Sequence, residues 1–76
     1  MSEADWARRL RKRLAAVAHV KSTSDYRTCE REDLLLDPPF EPENREVSKR
    51  MWERSIMLWR ETLQRMAGVL ATMPPS

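Results

Sequence analysis

The 76-residue chain lacks most of the side chains on which catalytic and metal sites are built. It has one cysteine, Cys29, which excludes an internal disulfide, and one histidine, His19. One cysteine and one histidine do not suffice for a metal site, and no histidine is paired with a nucleophile. With Gly68 as its single glycine, the chain also has no glycine-rich phosphate loop. We therefore expect no enzyme, no cofactor and no metal.

Long apolar runs are absent as well. No stretch approaches the roughly 18–20 residues that a membrane span needs, and the N-terminus has no apolar signal-peptide core. We expect a soluble intracellular protein without a membrane partner. The length allows one small domain, 1–76, whose core contributes only about 3–5 kcal/mol. A partner that binds only the folded form would add to that stability.

Charge is abundant and unevenly distributed. Charged residues make up 34% of the chain, with a formal net charge of +2. Segment 1–21 has six basic and two acidic residues, segment 22–47 has three and eight, and segment 48–76 has five and two. Two basic segments on either side of an acidic one favour a polyanionic partner.

Apolar residues at helical spacing predict two helices in the first half of the chain. Ser2 is a suitable N-cap for a helix over 3–19, whose apolar positions include Trp6 and Val17. We expect the basic residues of this helix to cover its other faces; they are Arg8, Arg9, Arg11, Lys12 and Arg13. Cap candidates from Ser22 onward predict a short second helix over 25–35. Three prolines then exclude regular structure from the connector to the third helix.

The third helix, over 48–71, has the clearest pattern. Its apolar residues are spaced 4, 3, 4, 3, 4, and we call them the apolar seam: Trp52, Ile56, Trp59, Leu63, Met66 and Leu70. Trp52, Trp59, Ile56 and Leu63 are expected to form the structural core against the first two helices. Ser48 or Asn44 is expected to cap the helix, and Pro74 and Pro75 to end it. The sequence therefore predicts an all-α, three-helix domain with a long C-terminal helix and a proline-rich connector before it.

Basic residues and rings lie next to the predicted helix ends. Lys49 and Arg50 fall in the first turn of the third helix, where the helix dipole disfavours cations and a nearby anion would compensate. His19, Lys21 and Tyr26 fall around the turn between the first two helices. These residues favour nucleic-acid recognition, although simple solvation of the charges explains them equally well at this point.

Two segments resemble the RNA-binding domain of the histone mRNA stem-loop-binding protein family. "KSTSDY" resembles the family's K-x-T-x-x-Y element, and "SKRMWERSIMLWRETL" resembles S-R-R-S-W-D-x-x-I-x-L-W-K-x-x-L. The second segment matches at seven positions: Ser48, Arg50, Trp52, Ile56, Leu58, Trp59 and Leu63. Lys49, Glu53 and Arg60 are like-for-like replacements. The resemblance covers about 13–64.

The resemblance implies three helices that bind the 3′ stem-loop of replication-dependent histone mRNA without catalysis, as a monomer on the RNA. By position, it implies that Arg50 contacts a stem guanine, Lys21 the RNA backbone and Tyr26 an unpaired loop base. His19 stands where the family has a further ring. We add Lys12, Arg13, Lys49 and Gln64 to the expected RNA-binding residues. The resemblance also implies other mRNA-processing proteins as partners, a role in mRNA 3′-end processing, and a location in nucleus and cytoplasm.

The chain departs from the family at several positions. Val20 replaces a glycine, His19 a tyrosine, and Gln64 a histidine. The family's phosphorylated T-P-N-K motif corresponds at best to "PENR" over 42–45, which has no threonine. We therefore do not carry over control by phosphorylation.

Three other functions are compatible with the residues. The apolar seam could serve a helical protein–protein interaction module, joining a partner or a second copy. The first helix, from Trp6 to Val17, could lie on anionic membranes as a basic amphipathic helix. A helical DNA-binding domain is the third alternative.

Overall fold

A computed structural model describes residues 2–34 and 36–73 of the chain. It contains three helices, α1 (Glu3–Lys21), α2 (Ser24–Arg31) and α3 (Lys49–Thr72), and no strand in the described ranges. The predicted all-α class, with a long C-terminal helix, is confirmed. Over these same ranges no helix is long and apolar enough to cross a membrane. Leu35, Pro74 and Pro75, to which parts of the helix predictions referred, lie outside the described residues.

Each helix begins with a side-chain cap. Ser2, Thr23 and Ser48 accept hydrogen bonds from backbone N–H groups three residues on, in α1, α2 and α3 respectively. Such caps satisfy N–H groups that the helix itself leaves unpaired, and each stabilises the helix by about 1 kcal/mol. Ser48 is therefore the cap of α3, and Asn44 is not.

The prediction that the second helix extends to residue 35 is wrong, because α2 ends at Arg31. Asp33 adopts a left-handed conformation with φ 59°. Its N–H donates to the carbonyl of Glu30 at 3.1 Å, and the N–H of Leu34 donates to that of Cys29 at 2.9 Å. This pair of hydrogen bonds is a Schellman motif, which closes a helix by using its last free carbonyls.

The main core lies where the end of α1, α2 and the second half of α3 meet. Its buried members are Val20, Tyr26, Cys29, Trp59, Leu63 and Ala67. Trp59 also donates from Nε1 to the carbonyl of Leu36 at 3.0 Å, which fixes the start of the connector on α3. Trp52, Trp59 and Leu63 are buried as predicted, and Ile56 is half-buried against this core.

A second packing centre lies at the other end of α1, around Arg13. Its side chain is only 2% exposed, and its Cζ lies 5.3 Å from the ring centroid of Trp6 and 5.1 Å from that of Trp52. Nη1 donates to the carbonyls of Pro42 (3.3 Å) and Asn44 (3.0 Å), and Nη2 donates to that of Val47 (2.6 Å). We call this arrangement the Arg13 clamp, since it joins α1, α3 and the connector through one side chain.

The connector is attached at its far end as well. Arg45 makes a two-pronged ion pair with Glu3, with both N–O distances at 3.0 Å, and its Cζ lies 4.9 Å from the ring centroid of Trp6. The hydrogen bonds from Arg45, followed by its charge, lower the pKa of the Glu3 carboxyl. Both side chains are exposed, so this contact positions the connector more than it stabilises the fold.

Replacing Arg13 by alanine should destabilise the domain severely. The change leaves three carbonyls without their donor and opens space between two indoles, a loss of about 2–4 kcal/mol, comparable to the whole stability of a domain this small. Urea unfolding followed by tryptophan fluorescence measures the loss. Arg11→Ala is the matched control, because Arg11 is an exposed arginine of the same helix. Equal stability of the two variants would contradict the clamp.

Replacing Asp33 by glycine should stabilise the domain by a few tenths to about 1 kcal/mol, because glycine adopts a left-handed conformation without a Cβ clash. Asp37→Gly is the control: Asp37 lies in the connector and does not have a positive φ. There glycine should only add freedom to the unfolded chain and lower the melting temperature. Thermal unfolding followed by circular dichroism gives the melting temperatures of the two variants. A lower melting temperature for both would argue against strain at Asp33.

Candidate nucleic-acid interface

A cleft of about 460 Å³ separates α1 from the first turns of α3. We call it the basic cleft. It is lined by Asp5, Arg8, Arg9, Lys12, Arg13 and Ala16 from α1, and by Lys49, Trp52 and Glu53 from α3. On α1, Arg8 and Lys12 are four residues apart, as are Arg9 and Arg13, so helical spacing brings both pairs to the same side. Its volume is typical of small-ligand sites, roughly 300–1,000 Å³.

Positive charge dominates this cleft. Five of its lining residues are cationic and only Asp5 and Glu53 are acidic. The one ion pair among the lining residues joins Lys49 Nζ to Glu53 Oε1 at 4.0 Å, with both side chains exposed. An exposed pair at that distance leaves most of the lysine's charge available. Within the described ranges, the side chains of Arg8, Arg9 and Lys12 make no ion pair, so their charges face solvent and whatever enters the cleft.

Arg13 differs from the other cations of the cleft. Its burial lowers the pKa of the guanidinium, and the nearby charge of Arg9 lowers it further, although an arginine stays protonated at neutral pH. The expectation that Arg13 covers an exposed face is wrong, since the side chain is buried, and its predicted direct contact with RNA is disfavoured. Its two Nη groups already bond three carbonyls, so it supports the cleft from below.

Tyr26 was predicted to stack on an unpaired base, and its burial argues against that contact. Tyr26 is 8% exposed and packs edge-on against Trp59, with ring centroids 6.3 Å apart and an interplanar angle of 78°. Its ring belongs to the main core, where no face is free for a base. Arg50 lies nine residues before Trp59, about two and a half helical turns, and therefore projects from the opposite side of α3. Tyr26 and Arg50 do not share a groove.

The remaining predicted residues are all exposed but fall into separate groups. Lys12 and Lys49 meet across the basic cleft. His19 is seven residues beyond Lys12 on α1 and continues the same face. Lys21 is nine residues beyond Lys12 and projects from the other side of α1.

Arg50 and Gln64 lie on α3 outside the basic cleft. Arg50 follows Lys49 directly, so the positive surface continues from the cleft around the start of α3. Gln64 lies fourteen residues further along nearly the same face, about 21 Å away. A ligand that contacts both must extend along the helix.

Sequence reasoning missed Arg8 and Arg9 as members of the site. They were counted as basic residues of the first helix but not assigned to an interface. Their spacing from Lys12 and Arg13 was a signal available in the sequence. The sequence did not show which helix lies opposite them, because that depends on how the Arg13 clamp attaches the connector to α1 and α3.

Neither metal nor thiol chemistry finds support in the described part of the chain. No group of three or more metal-ligating side chains occurs there. Cys29 is buried, and that burial, followed by the charge of Asp25, raises the pKa of its thiol. A thiol in this state is a weak nucleophile.

The chain matches no protein-family model, no curated protein and no solved structure. The resemblance to the histone stem-loop-binding family therefore remains a prediction.

Replacing Tyr26 by phenylalanine should leave both stability and RNA affinity nearly unchanged. The hydroxyl makes no hydrogen bond within the described ranges, and phenylalanine keeps the ring contact with Trp59. Tyr26→Ala should instead lower the free energy of unfolding by about 3–5 kcal/mol, because it empties part of the core. Denaturant unfolding and fluorescence anisotropy with a labelled hairpin measure the two quantities. A phenylalanine variant that folds normally but binds RNA much more weakly would restore a direct role for Tyr26.

Proposed function

We propose that this domain binds an RNA hairpin of the histone-message 3′ stem-loop type, without catalysis. The basic cleft carries the proposal: α1 presents Arg8, Arg9 and Lys12 to its opening, and α3 presents Lys49, whose exposed pair with Glu53 is long, beside the exposed Arg50. The cleft contacts phosphates of the stem, and Arg50 contacts a guanine. The resemblance supplies the kind of hairpin, and the charge and shape of the surface support RNA as the ligand.

Physical arguments favour phosphate contacts in the basic cleft and a base contact at Arg50. An A-form stem hides its base edges in a deep groove, so most of the affinity comes from phosphates and overall shape. Lysines on separate helices can follow one strand of such a stem. Arginine's planar fork suits the two acceptors on a guanine edge. Arg50 makes no hydrogen bond or ion pair within the described ranges, so its guanidinium is available.

The Arg13 clamp supports this surface. Trp52 contacts Arg13 and lies two residues after Arg50, so the first turns of α3 cannot move relative to α1 without disrupting the clamp. The spacing between Lys12 and Lys49 across the cleft is thereby fixed before RNA arrives. A preformed site loses less entropy on binding.

The alternatives are less compatible with this packing. The interaction-module hypothesis requires a free apolar seam, but Trp52, Trp59 and Leu63 are 5%, 3% and 1% exposed. The membrane hypothesis requires a free apolar face on α1 from Trp6 to Val17, but Trp6 is buried and Val17 is half-buried against the main core. RNA-bound partners in mRNA 3′-end processing, and a location in nucleus and cytoplasm, belong to the proposal through the resemblance alone.

Replacing Lys12 and Lys49 together by glutamine should weaken hairpin binding and reduce the slope of log affinity against log salt by about one to two, because each phosphate contact contributes roughly 0.7–0.9. Arg27→Gln with Arg31→Gln is the charge-matched control, since both arginines are exposed on α2, away from the cleft. Fluorescence anisotropy over a salt series provides the measurement. Equal losses in the two double variants would show diffuse attraction, not a site.

Replacing Arg50 by alanine should cost about 1–3 kcal/mol of binding and relax discrimination at one stem position. Competition with hairpins that carry single base-pair changes identifies that position. Competition with the same RNA strand after its stem sequence is scrambled, and with duplex DNA, tests the class of ligand. Lys12→Ala is the comparison, because Lys12 lines the cleft and a backbone contact should weaken binding to every sequence alike. If Arg50→Ala also weakens all hairpins uniformly, Arg50 does not recognise a base.

A further inference from the structure

The fold does not neutralise the charge that it gathers in the basic cleft. Cations outnumber carboxylates by five to two among the lining residues, and the one ion pair there is exposed and long, at 4.0 Å. Like charges held this close repel one another. The first turn of α3 adds to the effect, because it has no acidic residue to balance the partial positive charge of a helix start.

Arg13 gives an independent indication that an anion belongs in this cleft. Its side chain lines the cleft although only 2% of the residue is exposed, and its Nε has no hydrogen-bond partner. Its other nitrogens bond only backbone carbonyls, and no carboxylate pairs with it within the described ranges. A buried charge without a counter-ion is costly, and an anion held nearby would offset that cost.

We infer that the basic cleft is a specific phosphate-binding site, and that a bound phosphate stabilises the folded domain by acting as the missing counter-ion of Arg13. Lys12 and Lys49 contact the phosphate from opposite helices, and Arg8 and Arg9 complete the rim. The inference deepens the proposed function, on which it rests for the source of the phosphate in RNA. Free inorganic phosphate has the same chemistry and serves as the probe.

Inorganic phosphate should raise the melting temperature of the full 76-residue chain relative to chloride at the same ionic strength. The rise should follow the logarithm of the phosphate concentration above the dissociation constant, reaching about 6–11 °C at about ten times that constant, and we call it the logarithmic rise. Phosphate also stabilises proteins generally by exclusion from their surface, but that effect grows in proportion to concentration and lacks the steep initial part of the logarithmic rise. Thermal unfolding followed by circular dichroism separates the two effects.

Variants identify the site. Lys12→Gln with Lys49→Gln should abolish the logarithmic rise, while the general effect remains. Arg27→Gln with Arg31→Gln changes the charge by the same amount on α2 and should keep the rise intact. The compared quantity is the shift caused by phosphate, so any difference in starting stability between variants does not matter. A rise in the unaltered chain that is only proportional to phosphate concentration, or the same logarithmic rise in the cleft variant, would overturn the inference.

A parallel hairpin titration separates this inference from the proposed function. If the hairpin binds in preference to its scrambled strand but inorganic phosphate gives no logarithmic rise, the phosphate site is wrong and RNA binding stands. If phosphate gives the rise but hairpin and scrambled strand bind equally, the phosphate site stands and hairpin recognition is wrong. If both responses occur, inorganic phosphate should compete with the hairpin in the unaltered chain and not in the cleft variant.

Discussion

One buried guanidinium, that of Arg13, joins all three parts of this small domain that meet beside the basic cleft. Arg13 lies against the indoles of Trp6 and Trp52 and donates to three carbonyls of the connector, so a single side chain attaches α1, α3 and the segment between α2 and α3. Aromatic faces and carbonyl oxygens are suitable surroundings for arginine, because its charge is spread over a plane and weakly hydrated. The arrangement still leaves a net positive charge inside the fold, since no carboxylate pairs with it in the described ranges. The main core around Trp59 and Leu63 cannot replace the clamp, because it lies towards the other end of α1.

The clamp also determines what the surface can bind. Trp52 belongs to the clamp. Lys49 and Arg50 precede it by three and two residues on α3, so the packing of Trp52 determines where these two cations lie on the surface. The same contact sets α3 beside the basic face of α1 and creates the basic cleft. The proposed function and the inferred phosphate site link stability to recognition electrostatically, because an anion would offset the repulsion among the cations of the cleft. A chain with a core this small benefits from such a ligand.

Sequence reasoning was most successful where one helix dominates. The spacing of the apolar seam and the cap at Ser48 predicted α3 within one residue at each end, and the burial of Trp52, Trp59 and Leu63 followed from the same pattern. It failed for α2, because the left-handed turn at Asp33 has no strong sequence signal when the residue is not glycine or asparagine. It failed for Arg13 because residue type was given more weight than position. Trp6, Arg13 and Val20 recur every seven residues, and all three are buried on one face of α1. Tyr26 was assigned to RNA from its place beside His19 and Lys21 and from the resemblance, although its spacing from Cys29 is that of a core position.

The state of the Arg13 side chain tests this account most directly. Arginine side-chain NMR reports the chemical shift of each guanidinium and how fast its protons exchange with water. A guanidinium between two indoles and three carbonyls should give Nε–H and Nη–H signals shifted upfield by the rings, with slow exchange and hindered rotation, and it should keep them when a hairpin is added. The exposed arginines, such as Arg11 and Arg50, should give averaged, rapidly exchanging signals. An Arg13 signal that resembles theirs in the free domain would contradict the clamp, and with it the fixed cleft on which the proposed recognition of RNA depends.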